Sequence, residues 1–278
     1  MIDYNSLINS KSDNIEKNNL LIIDGDFILY IVTNKNKVLD QFGKPELDPN
    51  GNYIYYDKNL EEVKGAIDSY LNTLFTGLNA SEYIGFIGGN IRNYFRKKYY
   101  PNYKENRKKI ERPQFISEAK QYLIDQYHFI PVDIIETDDA VNITRLHYPN
   151  SIPVVVDKDL KSLEGKWYDA YHNVFVNTTL EEQDKFIWSQ MITGDTSDGV
   201  SGIPKRGIKY FEKIVQENEM RAENSLPVLI YEEYISHYGL ERGIEEFYAN
   251  WKALHILKSI EELPQDCTFT IPEPIKIT

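Results

Sequence analysis

Residues Leu20–Asp26 read LLIIDGD. The first four are aliphatic, too short a run for an independent helix and suited to a buried strand. Asp24 falls just past that strand, and Asp26 follows two residues on. Short apolar runs recur at Tyr83–Ile87 and Ile152–Val156, with His172–Val176 as a weaker fourth. Helix-like stretches lie between them at Leu60–Leu78, Ile116–Tyr127, Thr137–His147 and Gln183–Thr193. Strands alternating with helices predict an α/β fold, a mostly parallel central sheet with helices on both faces. After Asp195 the pattern turns helical over Tyr210–Glu219, Val228–His237 and Glu241–Leu257, with no clear strand. Residues 33–59 are rich in Asn, Asp, Gly and Pro and read as a long loop or an irregular hairpin.

The 278 residues suffice for one large domain or two small ones, and a hydrophobic fraction of 41% with 27% charge excludes wholesale disorder. Cys267 is the only cysteine, so intrachain disulfides and cysteine-rich zinc sites are excluded. No apolar run approaches the roughly 20 residues that span a bilayer, and residues 1–19 are too polar for a signal peptide. A soluble, cytoplasmic protein without membrane partners is expected. The net charge of −12 is unevenly placed: residues 92–112 hold nine basic and two acidic side chains, a local +7 on a body carrying −19.

Acidic residues fall where elements end. ETDDA gives Glu136, Asp138 and Asp139 at a helix start, VVVDKD puts Asp157 and Asp159 past a strand, and GDTSD gives Asp195 and Asp198 in a turn after a helix. In an open parallel sheet the carboxyl ends of the strands share one edge, where such folds place their sites. Carboxylates gathered there repel one another unless cations neutralise them. Mg²⁺ and Mn²⁺ prefer oxygen ligands, and two such ions about 4 Å apart can activate a water for phosphodiester hydrolysis. Any one cluster can also be read as a helix cap or a turn.

Residues 92–112 interleave cations with Tyr94, Phe95, Tyr99, Tyr100 and Tyr103. Cations track a phosphate backbone and aromatic faces stack on unpaired bases, so Arg92, Arg96, Tyr103, Lys104 and Arg107 are candidate nucleic-acid contacts. A solvated basic helix with its tyrosines in the core is the other reading. GDTSDGVSGIPKRG carries Gly194, Gly199, Gly202 and Gly207 with Lys205, Arg206 and Lys209 close behind. That density suits backbone contact with duplex phosphate, and equally a packing unit of two helices and a turn.

Taken together, LLIIDGD, YFRKKYYPNYKENR, ETDDA, VVVDKDL and MITGDTSDGVSGIPKRG resemble, in order, the motifs of the 5′ nuclease superfamily of flap endonucleases and 5′–3′ exonucleases. Phage-encoded members, the phage ribonuclease H type among them, look most similar. The resemblance spans about Leu20 to Ile214. It implies a PIN-like nuclease core over 20–182 after an extension at 1–19, with a helical arch at 90–115. It also implies a helical region at 183–278 with a helix–hairpin–helix-type clamp at 194–214. The implied metal ligands are Asp24, Glu136, Asp138, Asp139, Asp157, Asp159, Asp195 and Asp198, holding two Mg²⁺ ions with Mn²⁺ as substitute. Asp24, Asp157 and Asp195 would be catalytic with Lys104 and Arg107 on the phosphate, Tyr103 would stack on a base, and the turn at Gly199–Gly207 would bind duplex, with a K⁺ ion on its carbonyls.

The implied activity is structure-specific hydrolysis near a single-strand/duplex junction, acting on flapped DNA or RNA/DNA with a 5′ single-stranded end. Primer or flap removal in phage-type replication, in the host cytoplasm and by a monomer with replication proteins as partners, is the implied biology. Two departures stand out. Where the family has a metal-binding Asp before the arch, this chain has Gly88 and Gly89, and Pro204 replaces a hairpin glycine. The first makes a junction-binding protein with weak or lost nuclease activity the alternative, unless Asp26 or Asn90 compensates. A PIN-type ribonuclease would lack the GVSGIPKRG segment. Residues 264–278 are expected as surface coil.

Overall fold

The computed structural model describes residues 19–109, 112–156, 163–221 and 225–277. The stretch that opens the fold is β1 (Asn19–Asp24), followed by β2 (Asn36–Lys37), β3 (Tyr55–Tyr56), β4 (Ala80–Gly88) and β5 (Ile130–Val132). Then come β6 (Ile152–Val155), β7 (Gly165–Asp169), β8 (Val174–Thr178) and β9 (Ile275–Lys276). The main sheet runs β5-β4-β1-β6-β7-β8. It is parallel from β5 to β7, while β8 and β9 pair antiparallel to β7 and β4. Leu21, Ile22 and Ile23 are fully buried because both faces of the sheet are covered. The pleat sends Leu21 and Ile23 to one core and Ile22 to the other.

Helices α1 (Asp26–Thr33), α2 (Leu60–Gly77) and α4 (Ile116–Tyr127) cover the first face, through Ile28, Ile67, Leu71 and Leu123. The opposite face packs on α5 (Thr137–His147) through Ala140, Val141 and Ile143, and on Ile256, Leu257 and Cys267 from the chain end. Between them in sequence lies α3 (Arg96–Tyr99), a single turn. Reciprocal caps fix helix starts, among them Asn59 and Glu62 at α2 and Thr179 and Glu182 at α6 (Leu180–Thr193). A third core gathers α6, α7 (Ile208–Arg221), α8 (Leu226–Tyr238) and α9 (Leu240–Leu254), and it includes Tyr94 and Tyr103 from the basic segment.

Of the two readings of residues 33–59, the structure takes the irregular hairpin, with β2 against β3 and bridges at Leu39–Pro45 and Leu47–Tyr53. Other elements differ from the sequence expectation. The strand expected at His172–Val176 begins two residues later, because a turn with Asn173 at φ 56° joins it to β7. The strands β5, β7 and β9 carried no clear signal, being short or mixed in polarity. The tail is largely irregular but is packed down rather than free on the surface: β9 pairs with Glu82 and Tyr83, while Phe269 and Ile271 pack on the second core. The reason lies in β4, whose nine residues outrun β5, so that its first half is an open edge for the tail to cover.

Phe129 sits over the start of the site. Its ring lies 2.8 Å from where a Cβ on Gly25 would stand and 2.6 Å from one on Gly85. It is 1% exposed. Phe129→Ala should cost about 3–5 kcal/mol, read as a lower urea midpoint. A loss below about 1 kcal/mol would mean that the ring does not fill that space.

Candidate functional site

The parallel register brings the ends of β1, β4 and β6 together, with Asp24 opposite Phe86 and Ile23 opposite Val154. At that edge a cavity of about 470 Å³ is lined by Asp24, Asp26, Glu136 and Asp138 together with Lys104, Arg107, Arg112 and Lys120. Asp24 and Glu136 are each 6% exposed. Asp138 stands in the first turn of α5, where the helix dipole favours negative charge. Asp157 and Asp159 follow β6 in sequence and lie outside the described residues.

Asp195 and Asp198 arrive from another direction, the turn after α6. Gly194 at φ 73° ends that helix, and a Cβ there would stand 2.3 Å from the Val200 carbonyl. Asp195 and Val200 exchange two backbone hydrogen bonds of 2.8 Å, closing the loop that carries Asp198. Asp195 Oδ1 accepts from the Ser197 backbone N–H and hydroxyl. Both aspartates are buried, with Glu136, Asp138 and Gln190 beside them.

The basic segment is folded down onto this turn. The Lys104 N–H donates to the Asp198 carbonyl at 2.8 Å, and Asn106 Nδ2 donates to the carbonyls of Thr196 and Ser197. Arg107 reaches Asp198 Oδ1 at 2.6 Å. The Lys104 ammonium contacts Glu136 and lies 3.6 Å from Asp198. Tyr103 donates its hydroxyl to Glu136 at 2.6 Å and to Asp198 at 2.8 Å. Burial by itself would raise the Glu136 carboxyl, but Lys104, Arg96 and the hydrogen bonds reverse this and hold it at about 2. Burial lowers and the two carboxylates raise Lys104, with a net rise, so it stays charged. Burial pushes Asp198 up despite Lys104 and Arg107.

Three residues expected in the site play other roles and do not line the cavity. Arg96, expected on phosphate, is 2% exposed and grips Asp139 with two bonds of 2.5 and 2.8 Å. Its other donors satisfy the carbonyls of Ala253 and His255 at the end of α9. Asp139, expected on metal, is fully buried and also accepts from the N–H groups of Glu136 and Leu257. Tyr103, expected to stack on a base, is 1% exposed. In the turn, the Gly202 N–H is taken by Asn250 at 3.1 Å, and Arg206 pairs with Glu233 at 2.9 Å. Lys205, Gly207 and Lys209 are exposed, as is Arg92, which lines an adjoining basic cavity with Lys97, Arg112 and Lys120. Lys120 was not singled out in the sequence, since it lies on an ordinary amphipathic helix and carried no signal; Asn106 lay inside the YFRKKYYPNYKENR motif without an assigned role.

Among the described residues, no three acidic, His or Cys side chains stand close enough to hold an ion. The chemistry of the donor set nonetheless fits a hard cation, since the acidic lining of the cavity is oxygen only. No family model and no curated protein sequence matches the chain. Solved structures do. The bacteriophage T5 D15 protein co-crystallised with metal ions is 17% identical, covering 86% of this chain and 89% of its own at a TM-score of 0.53. The T5 D15 flap endonuclease in a pseudo-enzyme–product complex with DNA and metal ions is 18% identical, covering 89% and 94% at 0.53. The T5 5′-exonuclease with bound zinc is 18% identical, covering 85% and 88% at 0.54.

The chain has the 5′ nuclease fold. Within that fold the Arg96–Asp139 pair ties the basic segment to the start of α5 and the end of α9. Arg96→Ala should cost about 3–5 kcal/mol by leaving Asp139 buried without a counter-charge. The double variant Arg96→Met with Asp139→Leu should recover most of that in urea unfolding. Equal losses in the single and the double variant would show that packing, not charge, is at stake.

Proposed function

We propose that the protein is a divalent-metal-dependent 5′ nuclease that cleaves flapped DNA or RNA/DNA near a single-strand/duplex junction. One observation carries this reading: carboxylates from distant stretches and the cations Lys104 and Arg107 line one cavity at the strand ends. Asp24, Glu136, Asp138, Asp195 and Asp198 would hold two Mg²⁺ or Mn²⁺ ions, with Asp157 and Asp159 completing the set. Such ions supply an activated water and neutralise charge on the leaving oxygen. Asp139 would orient Arg96 and Glu136 rather than ligate. The T5 relatives bind metal ions, and one of them holds DNA.

The chain's own residues account for the rest. Lys104 and Arg107 face the cavity and would donate to the phosphate being cut, where developing charge needs preorganised donors. Tyr103 and Asn106 would fix their position from behind. Arg92, Arg112 and Lys120 would draw a single-stranded arm into the adjoining basic cavity. Lys205, Gly207 and Lys209 would meet duplex phosphate in a helix–hairpin–helix manner, with a K⁺ ion on the turn carbonyls. Nuclease core at 20–182 and helical clamp at 183–278 would be the functional division, acting as a monomer in phage-type replication.

A 5′-labelled flap incubated with Mg²⁺, Mn²⁺ or chelator tests this reading. Cleavage should need a divalent ion, and Lys104→Ala and Asp195→Asn should each slow it by at least about 100-fold. Flap binding, read by fluorescence anisotropy, should survive Asp195→Asn. Cleavage undiminished by chelator would reject the metal site. Binding without cleavage in either metal would favour the junction-binding alternative.

A further inference from the structure

We infer that Asp26 supplies the metal carboxylate that position 88 lacks, reaching the cavity from the start of α1 instead of from the end of β4. This rests on the two-ion reading above and names a ligand that reading did not include. Gly88 ends β4, and a Cβ built on it would stand 2.4 Å from Asp26 Oδ2. In an aspartate, each carboxylate oxygen lies about 2.4 Å from its own Cβ, as the C–C and C–O bond lengths require. Asp26 therefore places an oxygen at the distance from β4 where a side chain at 88 would have placed one. A side chain at 88 would require the Asp26 carboxylate to swing aside from this position, so the carboxylate at 26 and the glycine at 88 fit one another.

The carboxylate is anchored from both sides. Its Oδ1 accepts from the Gly88 N–H at 2.8 Å, and its Oδ2 accepts from the Thr137 hydroxyl at 3.2 Å. Thr137 stands between Glu136 and Asp138, so Asp26 is tied to the element that carries two other acids of the cavity. A carboxylate offers about four acceptor positions, and these bonds engage two. Gly25 makes the reach possible. Its N–H bonds the Phe86 carbonyl at 2.7 Å, and a Cβ there would stand 2.5 Å from that oxygen. The chain thus turns tightly across β4 and delivers Asp26 over Gly88. A role confined to the first turn of α1 explains a carboxylate at 26 but not its placement over Gly88, hydrogen-bonded to that residue's N–H.

Mn²⁺ titration calorimetry on the full chain tests the inference, with thermal unfolding in chelator as the folding control. Asp26→Asn keeps the shape and should weaken Mn²⁺ binding by about 10–100-fold while unfolding near the parent temperature. Gly88→Asp alone should unfold at a lower temperature, because two carboxylates compete for one place. Asp26→Gly combined with Gly88→Asp should regain parent affinity to within about threefold. Parent-like Mn²⁺ affinity in a folded Asp26→Asn variant, or no recovery in a folded swap, overturns the inference and leaves the nuclease reading standing. Absence of Mn²⁺ binding by the parent chain overturns both.

Discussion

Buried charge must be paired, and this constraint organises the molecule. Glu136, Asp198 and Lys104 come from three distant stretches, and each is nearly inaccessible to solvent. A buried ion without a partner costs several kcal/mol, so none of these side chains could hold its place alone. Their mutual neutralisation fastens the basic segment to the sheet edge and to the turn after α6. Tyr103, donating to both carboxylates, makes the arrangement one network rather than two pairs. The same rule operates a few ångströms away, where Arg96 closes α9 and neutralises Asp139 together.

This pairing divides the basic segment into two populations. Arg96 and Lys104 are inside and serve carboxylates, while Arg92 and Arg112 are exposed and face the basic cavity. A protein of net charge −12 thereby keeps a local positive field beside an acidic cleft. Low-dielectric walls focus such a field, which favours approach of a polyanion to that opening over the rest of the surface. Lys104 and Arg107 link the two regions, since each lines both cavities.

The motifs were legible because each is local. LLIIDGD announces a strand and its acids, and ETDDA announces a helix start. What stayed hidden depended on partners far away in sequence. β9 has two residues and exists because β4 is longer than its neighbour. Asp139 and Asp138 are adjacent and chemically alike, yet one faces the cavity and the other Arg96. Nothing in ETDDA distinguishes them, since the choice follows from where the end of α9 lies.

The amino-acid sequence alone determined the α/β class, the positions of the acidic clusters and the uneven placement of charge. These follow from short-range patterning, because apolar periodicity and side-chain charge are properties of the chain itself. Only the tertiary structure decided which cations are buried and which are offered to solvent. It also decided that Tyr103 points inward and that Asp26 stands over Gly88. Those outcomes depend on burial and on distances between segments tens to more than a hundred residues apart, and neither exists until the chain has folded.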